Sequence, residues 1–263
     1  MSIKKNIAII QARMSSTRLP GKILKPFSNG MTLLDFQVAT LLELFDKNNI
    51  FIATTINKSD DLIKEQYDNS VSVYRGNESD VLSRFVEIAE KTKATNIIRL
   101  SSDNPFVFFE GIADLLKFHE NNQVDYTTFT INEKPSMLVP TGLFAEIVTS
   151  YALKKIINVA TSMEKEHVTY AIYNRLKPDF SVNLIDIKDY YPLLANEDLR
   201  FTVDTNEDFL MIDRIITELN LSNKINFKII EKIIAHSLKK KLTEFMKEET
   251  EKKKNLKFYL NKG

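Results

Sequence analysis

Short apolar runs alternate with segments whose apolar residues recur at helical spacing, and this alternation limits the chain to few folds. Helices are predicted at 31–45, 79–91 and 110–120, with a short helix after residue 59. Parallel strands need a crossover connection, usually a helix. The repeat therefore predicts an α/β protein, with a Rossmann-like, mostly parallel sheet covered by helices on both faces. The predicted strands are NIAIIQA (6–12), NIFIATT (49–55), VSVYR (71–75), TNIIRLS (95–101) and VDYTTFT (124–130).

The regular alternation of strands and helices stops after residue 130, which indicates an inserted α+β segment. A loop with a hairpin is predicted over 131–148, followed by helices at 149–160 and 163–176 and a strand at 180–186. A last strand, LRFTVD (199–204), and an amphipathic helix then close the sheet. We expect one domain over residues 1–227, with the insert at about 130–185. A Lys-rich helical extension over 228–263 is typical of a solvated terminal helix.

Composition excludes several classes of function. The 263 residues include no cysteine, which rules out disulfides, cysteine metal sites and thiol nucleophiles. Three scattered histidines lack the spacing of a zinc site. The net charge of +1 gives no overall field for nucleic acid or an anionic membrane. No run approaches about 18 apolar residues, so we expect no membrane span and a cytoplasmic protein.

The charge is unevenly distributed along this nearly neutral chain. Residues 1–34 contain no acidic residue, although 35 acids occur in the whole sequence. The same stretch contains six cations: Lys4, Lys5, Arg13, Arg18, Lys22 and Lys25. The opening of the chain is therefore a local positive site.

Most of these cations follow the first predicted strand, at the edge of the sheet where doubly wound folds bind ligands. Cations, hydroxyls and free backbone N–H groups in such a loop suit a polyphosphate. Gly21 stands alone before Lys22 with no Ser or Thr after it, so the loop is neither a Walker loop nor a dinucleotide fingerprint. Side chains must therefore make much of the contact with phosphate. Arg18 can bind two phosphate oxygens, and Lys22 supplies a point charge. On composition alone, a solvated basic loop explains the stretch equally well.

The segment QARMSSTRLPGKIL (11–24) resembles the signature of the cytidylyltransferases that activate acidic sugars as CMP derivatives, and is most similar to their spore coat polysaccharide branch. That pattern is A-R-x-x-S-x-R-L-P-x-K. Four further blocks resemble the family in the same order: YRGNESDVLSRF (74–85), RLSSDNPF (99–106), EKEHVTYAIY (164–173) and LRFTVDTNEDF (199–209). The resemblance implies a fold of the nucleotide-diphospho-sugar transferase type.

The resemblance also implies a metal site and a reaction. Asp103 and Asp204, each after a predicted strand, match the aspartates that hold Mg²⁺ in the family, although an Asp at a strand end is otherwise more often a turn or cap residue. An acceptor oxygen would attack the α-phosphorus of CTP, with Arg13, Arg18 and Lys22 as the catalytic cations that hold the β- and γ-phosphates. The implied nucleotide-binding residues are Ala12, Arg13, Ser16, Arg18, Lys22, Arg75, Gly76 and Asp103.

Base selection is expected from backbone groups near Ala12 and from the Arg75–Gly76 segment, where small residues let the main chain approach a pyrimidine. A plain turn explains Gly76 equally well. Asp80 and Arg84 match the family's block, but an i,i+4 salt bridge on a helix explains them too.

The acceptor side of the resemblance is weaker. Glu146 and His167 are the implied acceptor-binding residues, although a structural role for His167 is equally compatible with the sequence. Phe144 stands where relatives often have an acid, which removes a charge and indicates an acceptor unlike a common nine-carbon sugar acid. Relatives commonly pair through the region equivalent to 130–185, so a homodimer is expected.

Two other hypotheses stay open at this point. The chain could be a nucleotidyltransferase of the same fold with another base or with a phosphorylated acceptor. It could also be a non-catalytic nucleotide-binding relative, which Phe144 permits but the retained cations and aspartates disfavour.

Overall fold

A computed structural model describes residues 5–196, 198–222 and 224–239, and within them the sheet has eight strands. The strands are β1 (Asn6–Gln11), β2 (Ile50–Thr55), β3 (Ser72–Gly76), β4 (Asn96–Ser101), β5 (Tyr126–Ile131), β6 (Lys134–Pro135), β7 (Glu146–Thr149) and β8 (Val182–Asp186). The helices are α1 (Leu33–Leu42), α2 (Asp61–Tyr67), α3 (Val81–Thr92), α4 (Phe109–Asn122), α5 (Ser150–Ile156), α6 (Ser162–Glu166), α7 (Tyr170–Tyr173), α8 (Asn206–Glu218) and α9 (227–239).

The strand order is β3-β2-β1-β4-β7-β5-β6, with β8 paired to β5. The pairs β1–β2, β2–β3, β1–β4 and β5–β8 are parallel, whereas β7 lies antiparallel between β4 and β5. This mostly parallel sheet with helical crossovers confirms the predicted α/β class. It also brings the carboxyl ends of β1, β2 and β4 to one edge, where the cationic segment begins.

The core lies on both faces of the sheet. In β1, Ala8 and Ile10 belong to one buried cluster, and Ile7 and Ile9 to the other. Successive side chains of a strand point to opposite faces, so a strand covered on both sides must be apolar throughout. That requirement explains the unbroken run that marks this strand in the sequence.

The predicted strand over 199–204 is wrong. These residues form no ladder with the sheet. Two isolated backbone bonds hold them, from Phe201 N–H to Pro140 O (3.3 Å) and from Val203 N–H to Asp103 O (2.9 Å). The second bond ties the segment ending at Asp204 to the loop after β4, so the two aspartates still meet at one edge of the sheet.

The region predicted as an insert contains the β5–β6 hairpin, β7, α5, α6, α7 and β8. The predicted helix over 163–176 is broken between α6 and α7, where Val168 has a φ of 57°.

Ile230, Ile233 and Ile234 of α9 are buried in the same cluster as β1 residues, while residues 240–263 of the predicted extension lie outside the described residues. No helix in the described part of the chain is long and apolar enough to cross a membrane.

Candidate active site

The cationic loop, residues 13–22, is closed on itself by its backbone. Met14 O accepts hydrogen bonds from Ser16 N–H and Gly21 N–H, both at 2.9 Å. Gly21 has a φ of 71°, a left-handed conformation that costs glycine little, and the turn starting at Lys22 follows it. The fold of the loop thereby directs the Lys22 side chain inward, where it is largely buried.

A buried carboxylate, Asp60, fastens this loop to the end of β2. It accepts hydrogen bonds from Met14 N–H (2.9 Å), Thr54 Oγ1 (2.8 Å), Thr55 N–H (3.1 Å) and Thr55 Oγ1 (2.6 Å). Burial raises the pKa of Asp60, but the hydrogen bonds from Thr55, Met14 and Thr54 outweigh it and hold the pKa below its usual value. The sequence analysis missed this residue, because a single Asp before a helix looks like an ordinary cap.

Asp60→Asn is expected to destabilise the protein by about 2 kcal/mol at pH 7, because an amide N–H₂ would face groups that themselves donate. The folded-state pKa of Asp60 is lowered. Its ionised form therefore stabilises the fold above the unfolded pKa of about 3.9, and this contribution disappears as the pH falls through the folded-state pKa. Urea denaturation at pH 7 and at lower pH should show the difference from wild type shrinking in acid. Glu65→Gln, on the exposed side of α2, is the control, and an equal difference at both pH values would contradict the assignment.

The loop forms one wall of a cavity of about 240 Å³ at the carboxyl edge of the sheet. Seven residues that the sequence pointed to line it together: Ala12, Arg13, Ser16, Arg18, Lys22, Asp103 and Asp204. Positive and negative side chains thus converge at a single concave site, as binding of a polyphosphate with a cation would require.

Asp204 is surrounded by cations. Its carboxylate lies 3.0 Å from Arg18 Nη2, 3.4 Å from Lys22 Nζ and 3.5 Å from Arg200 Nη2. Lys22 Nζ also donates to Val203 O over 2.6 Å. Arg18 and Lys22 line the cavity, so a phosphate bound there could replace the carboxylate as their partner, whereas Arg200 does not line it and also pairs with Asp208.

The donor set fits Mg²⁺. The described residues contain no group of three or more His, Cys, Asp or Glu side chains that could hold a metal. Mg²⁺ does not need such a cage, since it is usually bound by one or two carboxylates with phosphates and water. Asp103 and Asp204 could supply two hard oxygen ligands at the cavity wall, which would meet this requirement.

Arg84 also lines this cavity, although the sequence left it open as half of a helical salt bridge. Its Nη1 donates to Ala53 O over 2.9 Å, and burial, followed by repulsion from Arg13, lowers the pKa of Arg84 to about 10. It therefore stays charged at neutral pH. Asp80 does not pair with it: that residue caps α3 through Ser83 N–H and forms an ion pair with Lys165 at 2.9 Å.

Gly76 leaves room for the side chain of Arg84. A Cβ at residue 76 would lie 2.7 Å from Arg84 Cγ, so glycine is what lets this arginine pack against β3.

Arg75 is placed differently from the prediction. It lines neither of the two cavities described here; its Nε and Nη2 donate to Thr55 O and Asn57 O, and its Nη1 pairs with Asp61 at 2.5 Å. It supports the loop after β2 from outside the site. The N–H of Ala12 is likewise bonded to Ala53 O over 3.1 Å, so this group is already occupied.

A second cavity of about 690 Å³ adjoins the first. His167 lines it, and so does Phe144, whose ring packs on Phe108 and Phe129 and is almost wholly buried. The two cavities share Gln11, Arg18, Ser101, Asp103, Glu166 and Asp204. A ligand in one cavity can therefore meet a ligand in the other at the two aspartates.

Glu146 does not line this second cavity, although the resemblance implied that it binds the acceptor. Its side chain is completely buried on β7, and its carboxylate accepts hydrogen bonds from Arg99, Tyr126 and Thr169. Direct contact with an acceptor would break these bonds. Arg99, which does line the cavity, was missed because it sits inside an apolar strand pattern.

Comparison with known proteins shows which family the chain belongs to. Residues 7–261 match the family described as Cytidylyltransferase. The spore coat polysaccharide biosynthesis protein SpsF of Bacillus subtilis (strain 168) is 35% identical over 209 residues, which are 76% of this chain and 82% of that protein.

Solved structures are similar as well. A cytidylyltransferase from Leptospira borgpetersenii serovar Hardjo-bovis has a TM-score of 0.76 at 28% identity, covering 89% of this chain and 96% of that one. A CMP:2-keto-3-deoxy-manno-octonic acid synthetase solved with CTP has a TM-score of 0.59 at 14% identity, covering 82% and 99%, and so shares the fold. The chain therefore belongs to the cytidylyltransferase family and is a nucleotidyltransferase.

Proposed function

We propose that the protein is a Mg²⁺-dependent cytidylyltransferase that transfers CMP from CTP to a sugar acid and releases pyrophosphate, for the synthesis of a surface glycan. The observation that carries this proposal is the convergence of Arg13, Arg18 and Lys22 with Asp103 and Asp204 on one cavity. The name of the Bacillus subtilis relative supports the glycan role, and that of the octonic acid synthetase supports a sugar acid as acceptor.

In this mechanism the triphosphate occupies the first cavity and the acceptor the second. An acceptor hydroxyl attacks the α-phosphorus, its proton passes to water, and the bond to the bridging oxygen breaks with its electrons going to pyrophosphate. Arg18 and Lys22 stabilise the charge that grows on the leaving oxygens. The wall shared by the cavities brings the two substrates together, which converts a bimolecular step into an effectively unimolecular one.

Asp103 and Asp204 are the residues that would hold Mg²⁺ in this proposal. When bound, the ion supplies Lewis-acid stabilisation of phosphoryl oxygens. Arg13 and the buried Arg84 add positive charge near the same phosphates. Ser16, at the cavity wall, adds a hydroxyl that can donate to a phosphate oxygen.

The proposal predicts pyrophosphate release with CTP and a pool of sugar acids, at a rate at least about tenfold higher than with ATP, GTP or UTP. Malachite-green detection after pyrophosphatase treatment, with mass detection of the CMP conjugate, measures it. Preference for another nucleotide, or turnover only with a sugar phosphate, would favour a nucleotidyltransferase with a different base or acceptor. Binding of CTP without turnover for any acceptor would indicate a non-catalytic relative.

We also propose a homodimer formed through the segment at about 130–185. Four large apolar side chains there are more than half exposed: Leu138, Tyr151, Val159 and Met163. Burying such side chains against a second copy would remove apolar surface from water. Sedimentation velocity should give twice the mass of one chain, and a monomer at micromolar concentration would refute the dimer.

The cytoplasm remains the proposed location, with CTP and a small acceptor rather than nucleic acid or membrane as partners.

A further inference from the structure

The second cavity contains a buried guanidinium that the mechanism above does not use. Arg99 lies on β4, two residues before Ser101, where the two cavities meet, and its side chain is 7% exposed. An arginine cannot lose its charge at physiological pH to escape the cost of desolvation. Its N–H groups therefore need hydrogen-bond acceptors.

Three of those N–H groups have acceptors. Nε and Nη2 donate to Gln11 Oε1 over 3.2 and 2.9 Å, and Nη1 donates to the Glu146 carboxylate. A guanidinium has five N–H groups. Among the described residues no acceptor pairs with the other two, so Arg99 has two N–H groups available to a ligand in the cavity.

Glu146 holds the Arg99 side chain in place by accepting a hydrogen bond from its Nη1. Its carboxylate also accepts from Tyr126 and, over 2.6 Å, from Thr169 Oγ1. Burial and the charge of Glu146 raise the pKa of Tyr126, so the phenol stays protonated and keeps donating. Because these donors hold Glu146 in one orientation, Arg99 is held rigidly before any ligand arrives, which lowers the entropy cost of binding.

Other lining residues define the rest of the ligand. Asn104 Oδ1 and Thr202 Oγ1 are buried, and neither has a hydrogen-bond partner within the described ranges, so each can pair with a hydroxyl. Val139, Pro140 and Phe144 add apolar surface to the same cavity. The cavity thus offers a fixed cation, two unpaired polar atoms and an apolar region.

We propose that Arg99 binds the carboxylate of the acceptor through its two remaining N–H groups, and that this acceptor is a hydroxylated carboxylic acid with an apolar portion. Gln11 and Glu146 are positioning residues. A planar carboxylate matches a guanidinium fork. A phosphate ester carries more negative charge, and Glu166, which lines the same cavity, would repel it more strongly than a carboxylate. The assignment rests on the proposed function, since it takes this cavity as the acceptor site.

Calorimetry tests the assignment on the full chain with Mg²⁺ and a non-hydrolysable CTP analogue already bound. The probes are 2-keto-3-deoxy-manno-octonate, its methyl ester, and inorganic phosphate. The acid should bind at least about tenfold more tightly than its ester, because the ester lacks the charge that Arg99 recognises. Acid and ester binding equally, phosphate binding more tightly than the acid, or no binding of the acid would overturn the proposal.

Variants separate recognition from folding. Arg99→Lys keeps the charge without the fork and should weaken acid binding at least about tenfold while leaving the CTP-analogue affinity within about twofold. Arg214→Lys, in an exposed ion pair on α8, is the matched control and should behave as wild type. If Arg99→Lys unfolds, the double variant Arg99→Met with Glu146→Gln removes both charges and should bind acid and ester alike. Acid selectivity unchanged in the folded variant would contradict the role of Arg99.

The two proposals fail differently. If the wild type does not bind the CTP analogue, the cytidylyltransferase assignment itself fails. If it binds the analogue but shows no preference for acid over ester, only the role of Arg99 is refuted.

Discussion

Asp204→Asn is expected to lower the rate of pyrophosphate release with saturating CTP by about 1,000-fold, equivalent to about 4 kcal/mol of transition-state stabilisation. In the proposed function Asp204 is a ligand of Mg²⁺, for which an amide is a poor replacement, and the amide carries no charge to balance Arg18 and Lys22. Asn has the same shape as Asp, and the Asp204 side chain is partly exposed, so the fold should survive. Steady-state kinetics with pyrophosphate detection measure the loss, and thermal melting within a few degrees of wild type verifies folding.

A matched control for this variant is available on the next helix. Glu207→Gln removes one negative charge from the exposed first turn of α8, three residues away, and should retain the wild-type rate within about twofold. Near-normal turnover in Asp204→Asn, or equal loss in both variants, would remove Asp204 from the metal site.

Lys22→Met is expected to reduce kcat/KM for CTP by at least about 100-fold, because methionine fills a similar volume but would supply no charge to the triphosphate. Lys22 is largely buried and its Nζ is held by Val203 O and Asp204, so its position is fixed before CTP arrives. Water cannot readily replace a buried ammonium. Initial rates over a range of CTP concentrations measure the change.

Lys25→Met provides the comparison for the Lys22 variant. Lys25 is three residues further along the same segment, where its Nζ lies over the Phe209 ring at 4.3 Å and does not line the cavity. A general loss of positive charge would affect both variants. We expect a change of about twofold or less for Lys25→Met, and similar losses in the two variants would show that Lys22 acts only through the overall field.

The sheet and the cationic loop could be predicted because local pattern determines them. The apolar run of β1 must be buried on both faces, and cations after it must lie at the carboxyl edge. The antiparallel position of β7 between β4 and β5 could not be predicted, since strand order depends on long-range pairing. The extended segment ending at Asp204 has the composition of a strand, but within the described residues it pairs with no strand, and backbone bonds to Pro140 and Asp103 hold it beside the sheet.

The parts of the site that escaped prediction are those built from distant residues. Asp60 and Arg99 each look ordinary in their own segment, as a cap and as a polar residue within a strand, whereas the sequence left Arg84 open between the family's block and a helical ion pair. Their roles depend on partners far away in the sequence, such as Met14 for Asp60, 46 residues apart, and Glu146 for Arg99, 47 residues apart. The resemblance implied that Glu146 binds the acceptor, but Glu146 is completely buried, does not line the second cavity, and accepts a hydrogen bond from Arg99 instead.

The most direct test of the central claim is a crystal structure with a non-hydrolysable CTP analogue and Mn²⁺ in place of Mg²⁺. The account predicts an anomalous peak within about 2.5 Å of carboxylate oxygens of Asp103 and Asp204, with the triphosphate on Arg18 and Lys22. A metal peak away from both aspartates, or a triphosphate bound outside the cationic loop, would contradict it.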